Sequence, residues 1–86
     1  MYGATILPCE GSFYYTAELE AARQEINTWI RESGCFDAVI DFDRATLDPR
    51  RPSRLSAAAD GGDHLHPGPD GYKRMAEVVD LKLFGR

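Results

Sequence analysis

The feature that most constrains the fold is a long amphipathic segment between two short, largely apolar runs. Residues 3–7 (Gly-Ala-Thr-Ile-Leu) form the first run, which Pro8 ends, and residues 38–42 (Ala-Val-Ile-Asp-Phe) form the second. Such runs are typical of strands, and the first suits a strand that is buried on both faces. A strand, a helix and a strand within about 40 residues favour a right-handed parallel βαβ unit. The sequence therefore predicts an α/β fold.

The segment between the two runs has a helix start, a periodic apolar stripe and a helix stop. Thr16 suits the N-cap position, with acidic residues in the turn that follows it. Gly34 suits the position just after the last turn. Apolar side chains recur at three- and four-residue spacing, at Leu19, Ala22, Ile26, Trp29 and Ile30. We expect this stripe to face the core, with Trp29 as its anchor.

The other segments predict loops and one further helix. Residues 8–15 include three consecutive aromatic side chains and favour a loop packed by its own rings. Residues 47–62 predict a long surface loop with one helical turn at residues 54–59. Pro69 suits the first position of a closing amphipathic helix. Its apolar side is predicted to hold Tyr72, Met75, Ala76, Val79 and Leu83.

Length and charge limit the possible classes of function. The 86 residues form one small domain, and a complete large α/β enzyme does not fit. Ten basic and 14 acidic residues give a net charge of -4, which argues against a nucleic-acid partner. No apolar run reaches the roughly 20 residues of a membrane span, and no export signal is recognised, so we expect a soluble chain without a membrane partner. Cys9 and Cys35 are expected to be free thiols, which favours the cytoplasm.

Asp63 and His66 are the residues whose chemistry points to a function. They lie three positions apart in the segment Gly62-Asp63-His64-Leu65-His66-Pro67, where a turn would bring their side chains together. A serine hydroxyl that attacks an ester needs a base to take its proton, and a carboxylate to hold that base in the right tautomer. The candidate site is therefore His66 as general base and Asp63 as the carboxylate that orients it.

This segment belongs to a longer pattern that resembles the SGNH (GDSL-type) hydrolases. The resemblance is carried by residues 3–8, 10–12, 37–43, 62–67 and 71–72, together with Tyr15, Arg23, Asn27, Trp29 and Ile30. It spans nearly the whole chain and matches the C-terminal portion of bacterial members. It implies a three-layer α/β/α, flavodoxin-like fold and hydrolysis of carboxylic esters. By the same resemblance, Asp63 and His66 correspond to the catalytic carboxylate and base.

The family's other active-site blocks do not appear in the sequence. Its nucleophile lies in a Gly-Asp-Ser segment, and its oxyanion hole uses a Gly and an Asn, all upstream of the matched portion. No Gly-Asp-Ser occurs in the 86 residues, and residues 68–70 (Gly-Pro-Asp) depart from the family's Asn-containing turn. The resemblance therefore implies that residues 1–86 are the C-terminal part of an esterase domain. We expect this part to be inert alone, to meet its ester substrate together with a companion N-terminal half, and to use no cofactor.

Three other interpretations stay open at this point. His66 is alternatively a plain surface histidine, with Asp63 as a charge beside a helix. Asp60, Asp63, His64 and His66 include the ligand types of a zinc site, although we predict no metal. A half-domain with an unpaired sheet edge also suits a non-catalytic module that forms a homo-oligomer.

Overall fold

The computed structural model of the chain describes residues 1–79. In chain order the elements are β1 (Tyr2–Ala4), α1 (Ala17–Glu32), β2 (Ala38–Ile40), α2 (Phe42–Thr46), β3 (Leu47–Asp48), β4 (Arg51–Leu55) and α3 (Pro69–Glu77). Strands β1 and β2 pair in parallel, whereas β3 and β4 pair antiparallel. The chain is a mixed α/β protein that begins with a parallel strand–helix–strand unit, which confirms that part of the prediction.

Strands β1 and β2 are shorter than the apolar runs that predict them. The backbone hydrogen bonds between them end where the side chain of Asn27 bonds to the backbone after β1. Each contributes three residues to the pairing, and the N–H of Thr5 adds one more bond to the carbonyl of Ile40 at 3.2 Å. The peptide groups of Ile6 then turn to Asn27 on α1. The Ile6 N–H donates to Asn27 Oδ1 at 2.7 Å, and its carbonyl accepts from Asn27 Nδ2 at 2.9 Å. The amide of Asn27 therefore ends β1.

The prediction that β1 is buried on both faces is wrong. Gly3 is buried under the ring of Phe36, where an added Cβ would lie 2.7 Å from the ring. Its neighbours Tyr2 and Ala4 are exposed. Successive side chains of a strand point to opposite faces, and within residues 1–79 only the face of Gly3 is covered.

Helix α1 has the predicted ends, but the face that is buried is not the predicted one. The side chain of Thr16 accepts a hydrogen bond from the N–H of Leu19 at 3.0 Å, and Gly34 has a φ of 74° just beyond the last turn, as predicted. Trp29, however, is 53% exposed, so its role as core anchor is wrong. The face of α1 that is buried carries Arg23, Asn27 and Ile30. Hydrogen bonds of the two polar residues to other segments turn this face inward, and most of the apolar stripe then faces outward.

The prediction of a long loop over residues 47–62 is wrong for its first part, since β3 and β4 form a hairpin there. The helical turn predicted at 54–59 is present in part, because the N–H groups of Ala59 and Asp60 both donate to the carbonyl of Ser56 at 3.0 Å. Helix α2 precedes the hairpin, capped by Asp41, which accepts from the N–H of Arg44 at 3.1 Å. The hairpin turn is closed by Asp48, whose carboxylate accepts from the N–H of Arg50 at 2.9 Å. These caps depend on single Asp residues with no apolar periodicity around them, which is why the pattern indicated a loop.

The centre of the molecule is largely polar. Its buried polar side chains are those of Thr5, Arg23, Asn27, Asp43 and Thr46, and its buried apolar side chains include Ile30, Leu55 and Ala59. Arg23 is 4% exposed. It donates to Asp43 at 2.7 Å and to the carbonyl of Pro52 at 3.1 Å. One guanidinium thus connects α1 to α2 and to the hairpin.

Helix α3 begins at Pro69, as predicted, and positions the segment before it. Within α3, Met75 is partly covered, whereas Tyr72 is 57% exposed. The helix ends at Glu77, so the prediction that Val79 lies on its apolar side is wrong. Leu83, the last residue predicted for that side, lies outside the described residues. In the part of the chain that the structure describes, Cys9 and Cys35 are free thiols. No helix within residues 1–79 has the length and apolar character needed to cross a membrane.

Candidate functional site

The histidine loop, residues 59–68, lies between β4 and α3 and is closed at its base by backbone hydrogen bonds. The carbonyl of Ala59 accepts from the N–H of Gly68 at 2.8 Å, and the carbonyl of His66 accepts from the N–H of Gly61 at 2.9 Å. These bonds surround a β-bridge between Asp60 and Pro67. A loop closed in this way has its ends fixed, so its side chains are held in defined positions.

The structure brings Asp63 and His66 together. Asp63 Oδ1 accepts from the N–H of Leu65 at 3.0 Å and from the N–H of His66 at 2.8 Å. Its other oxygen, Oδ2, lies 2.7 Å from Nδ1 of the His66 ring. One carboxylate oxygen therefore shapes the turn, while the other orients the imidazole. The turn expected from the three-residue spacing is present.

These contacts decide the ionisation of Asp63 and the tautomer of a neutral His66. The hydrogen bond from the His66 ring, together with those from the two N–H groups, holds the pKa of Asp63 well below its usual range. Asp63 is then a carboxylate at neutral pH and accepts only, so a neutral His66 carries its proton on Nδ1. Its Nε2 is left with a lone pair, which is what a general base needs.

The pair is open to groups from outside the chain. The side chain of His66 is 70% exposed and that of Asp63 is 55% exposed. Among the hydrogen bonds within residues 1–79, the ring of His66 is involved only in the one with Asp63. A substrate or a hydroxyl group from another segment can therefore reach the imidazole.

A second carboxylate–imidazole pair, Asp60 with His64, lies beside the first. One oxygen of Asp60 accepts from the N–H of Gly62 at 2.8 Å and from that of His64 at 3.0 Å, and the other bonds to His64 Nδ1. Burial raises the pKa of Asp60, but these hydrogen bonds outweigh burial and lower it below its usual value. The sequence analysis did not predict this pair. The available signal was a carboxylate four residues before a histidine, with two glycines between them.

A cleft of about 400 Å³ borders the second pair. Its lining residues are Asp48, Arg54, Leu55, Ala57, Asp60, Gly62 and His64. Arg54 lies 3.4 Å from Asp48 across the hairpin. Leu55 and Ala57 are the two apolar side chains in this lining. This cleft thus opens next to His64, with both charged and apolar groups in its wall.

Two glycines allow the rest of the chain to approach the histidine loop closely. A Cβ at Gly71 in α3 would lie 2.3 Å from the carbonyl oxygen of Ala59, and one at Gly11 would lie 3.2 Å from the ring of His64. A side chain at position 71 would push α3 away from the base of the loop. Because Gly11 and Gly71 have no side chain, the loop packs closely between α3 and the segment after β1.

The four acidic and imidazole side chains of the loop form two separate pairs. Asp63 bonds to His66, and Asp60 bonds to His64. Within residues 1–79 no group of three or more His, Cys, Asp or Glu side chains is arranged to hold a metal ion. The histidine loop therefore holds two imidazole rings, each oriented by its own carboxylate.

Comparison of this sequence with protein-family models and with curated proteins finds no match. A functional assignment therefore rests on the geometry of the histidine loop and on the residue pattern around it.

Proposed function

We propose that this chain is the C-terminal part of a serine esterase of the SGNH type, in which His66 is the general base and Asp63 orients it. The observation that carries the proposal is the bond between Asp63 Oδ2 and His66 Nδ1 at 2.7 Å. It leaves Nε2 of an exposed ring available to take a proton from a hydroxyl group. The parallel strand–helix–strand unit is compatible with the three-layer, flavodoxin-like fold that the resemblance implies.

In the proposed reaction His66 takes the proton of a serine hydroxyl as that oxygen attacks the ester carbonyl. His66 then donates this proton to the leaving alcohol, and Asp63 stabilises the imidazolium that exists between the two steps. The serine and the donors that stabilise the oxyanion come from a segment outside these 86 residues. Without them residues 1–86 should be inert, because oxyanion stabilisation is a large part of catalysis in such enzymes.

The test is complementation. The chain is co-expressed with N-terminal halves of SGNH esterases, each ending before the residues that match position 1, and hydrolysis of a short-chain p-nitrophenyl ester is measured. We expect activity in at least one combination, and we expect His66→Ala to remove it. His64→Ala is the matched control, since His64 is a neighbouring imidazole with its own carboxylate. Activity that survives His66→Ala would contradict the proposal, and loss only with His64→Ala would move the base to the second pair.

A further inference from the structure

Helix α1 presents an apolar seam that the rest of the described chain covers only in part, with Phe36 packed edge-on against Trp29. The seam consists of Leu19, Ala22, Ile26 and Trp29, at successive spacings of three, four and three residues. Leu19 is 46% exposed, Ile26 44% and Trp29 53%. This spacing is that of the a and d positions of a coiled coil, the geometry with which one helix packs along another. The seam is about 15 Å long at 1.5 Å per residue, which matches three turns of a partner helix.

A groove lies alongside the seam. A cavity of about 130 Å³ is lined by Ile6, Leu7, Cys9, Leu19, Ala22, Arg23 and Ile26. Apart from Arg23, whose guanidinium is bound to Asp43 and Glu20, the lining side chains are apolar or a thiol. An amphipathic helix laid on the seam has room here for a large apolar side chain.

The flank of the seam carries one sign of charge. Glu18, Glu25 and Glu32 recur at seven-residue spacing, and all three are exposed. Glu18 and Glu25 directly precede Leu19 and Ile26, and Glu32 lies at the end of α1, beyond Trp29. None of the three forms an ion pair with another residue within 1–79. On the opposite flank, Arg23 and Ile30 are buried against the chain. The exposed border of the seam is therefore acidic.

We propose that the α1 seam docks an amphipathic helix with lysine or arginine along its edge. Such a helix pairs its cations with the glutamate row while its apolar side chains fill the seam and the groove. A second copy of this chain is a poor occupant, since a two-fold contact brings the same surface against itself. In an antiparallel pairing each glutamate row then faces the row of the other copy, between chains that each carry a net charge of -4.

Two synthetic helical peptides test the proposal. Both carry leucines at the spacing of the seam and no tryptophan; one has lysines at the flanking positions and the other has glutamates. Trp29 is the only tryptophan of the chain and lies in the seam, so its emission reports docking. We expect a saturable blue shift with the lysine peptide. The glutamate peptide should bind with an affinity at least tenfold lower.

Two triple variants test whether the effect of charge on peptide binding comes from the glutamates of α1. Glu18→Gln/Glu25→Gln/Glu32→Gln should weaken binding of the lysine peptide about tenfold. Asp37→Asn/Asp70→Asn/Glu77→Gln removes the same number of charges from exposed sites outside α1 and should change it less than twofold. Equal affinity for both peptides, no saturable shift with either, or a dimer of the free chain in light scattering would each overturn the proposal. The assay involves no ester hydrolysis, so its result is independent of the role of His66.

Discussion

The two oxygens of Asp63 have different tasks. Oδ1 accepts from two backbone N–H groups of the histidine loop, while Oδ2 accepts from the ring of His66. A residue that keeps the first task but loses the second would therefore separate the shape of the loop from the tautomer of the imidazole. Asparagine is such a residue, because its amide oxygen accepts and its NH₂ group donates.

We expect Asp63→Asn to leave the fold intact and to inactivate the complemented esterase. The NH₂ group cannot accept from Nδ1–H, so the neutral ring would carry its proton on Nε2, the wrong nitrogen for a base. The loss in kcat should be on the order of 10⁴-fold, with KM little changed. Nitrogen chemical shifts of His66 measure the tautomer in the chain by itself. Asp70→Asn is the control, and a ring that keeps its proton on Nδ1 in Asp63→Asn would contradict the role given to Asp63.

At the scale of single residues, the sequence predicted the contact that depends on a short spacing along the chain. A separation of three positions, as between Asp63 and His66, suffices for a carboxylate to meet the following imidazole through one turn. The Asp60–His64 pair was not predicted because His64 has a φ of 61°. This left-handed conformation is uncommon for a residue other than glycine, so the sequence gives no signal for it. Whether His66 acts on an ester remains a proposal.

At the scale of elements, α1 is positioned by a side-chain amide. Asn27 is fully buried, and its amide holds both peptide groups of Ile6. This contact fixes the rotation of α1 against the end of β1 and so decides that the seam of Leu19 and Trp29 faces outward.

We expect Asn27→Leu to destabilise the chain by about 2–3 kcal/mol. Leucine has a similar shape, but it leaves the partly buried N–H of Ile6 without its acceptor, while the carbonyl of Ile6 keeps its bond from Arg23 at 3.1 Å. Urea denaturation measures the difference in the free energy of unfolding. Thr28→Leu, one position along and exposed, should change it by less than about 0.5 kcal/mol. Equal effects of the two substitutions would show that the amide does not position the helix.

Both ends of α1 and the start of α3 were predictable because they depend on local signals, which are Thr16 and Gly34 in α1 and Pro69 in α3. The rotation of α1 was not. Apolar periodicity predicts the buried face only where apolar contact decides the packing, and here the buried side chains of Arg23 and Asn27 decide it. Residues that match an apolar core stripe in the sequence consequently form an exposed seam.

At the scale of the whole molecule, buried and partly buried charges hold together elements that the small apolar core does not. Asp41 lies where three of them meet. Its carboxylate accepts from Arg31 on α1 at 2.8 Å, from the hydroxyl of Thr5 after β1 at 3.0 Å and from the N–H of Arg44 on α2 at 3.1 Å. The stability of the chain should for this reason depend on the ionisation of Asp41.

Burial raises the pKa of Asp41, but the hydrogen bonds from Arg31, Arg44 and Thr5 outweigh it and lower the pKa from 3.8 to about 2. A carboxyl with a lowered pKa in the folded state stabilises that state fully above its unfolded pKa, and the contribution disappears as the pH falls from about 4 through 2. We expect Asp41→Asn to cost on the order of 2 kcal/mol at pH 7 and almost nothing at pH 2. Urea denaturation across this range, with Glu77→Gln as the control, measures the difference. A cost that stays constant with pH would mean that Asp41 acts through neutral hydrogen bonds, and that charge does not hold the three elements together.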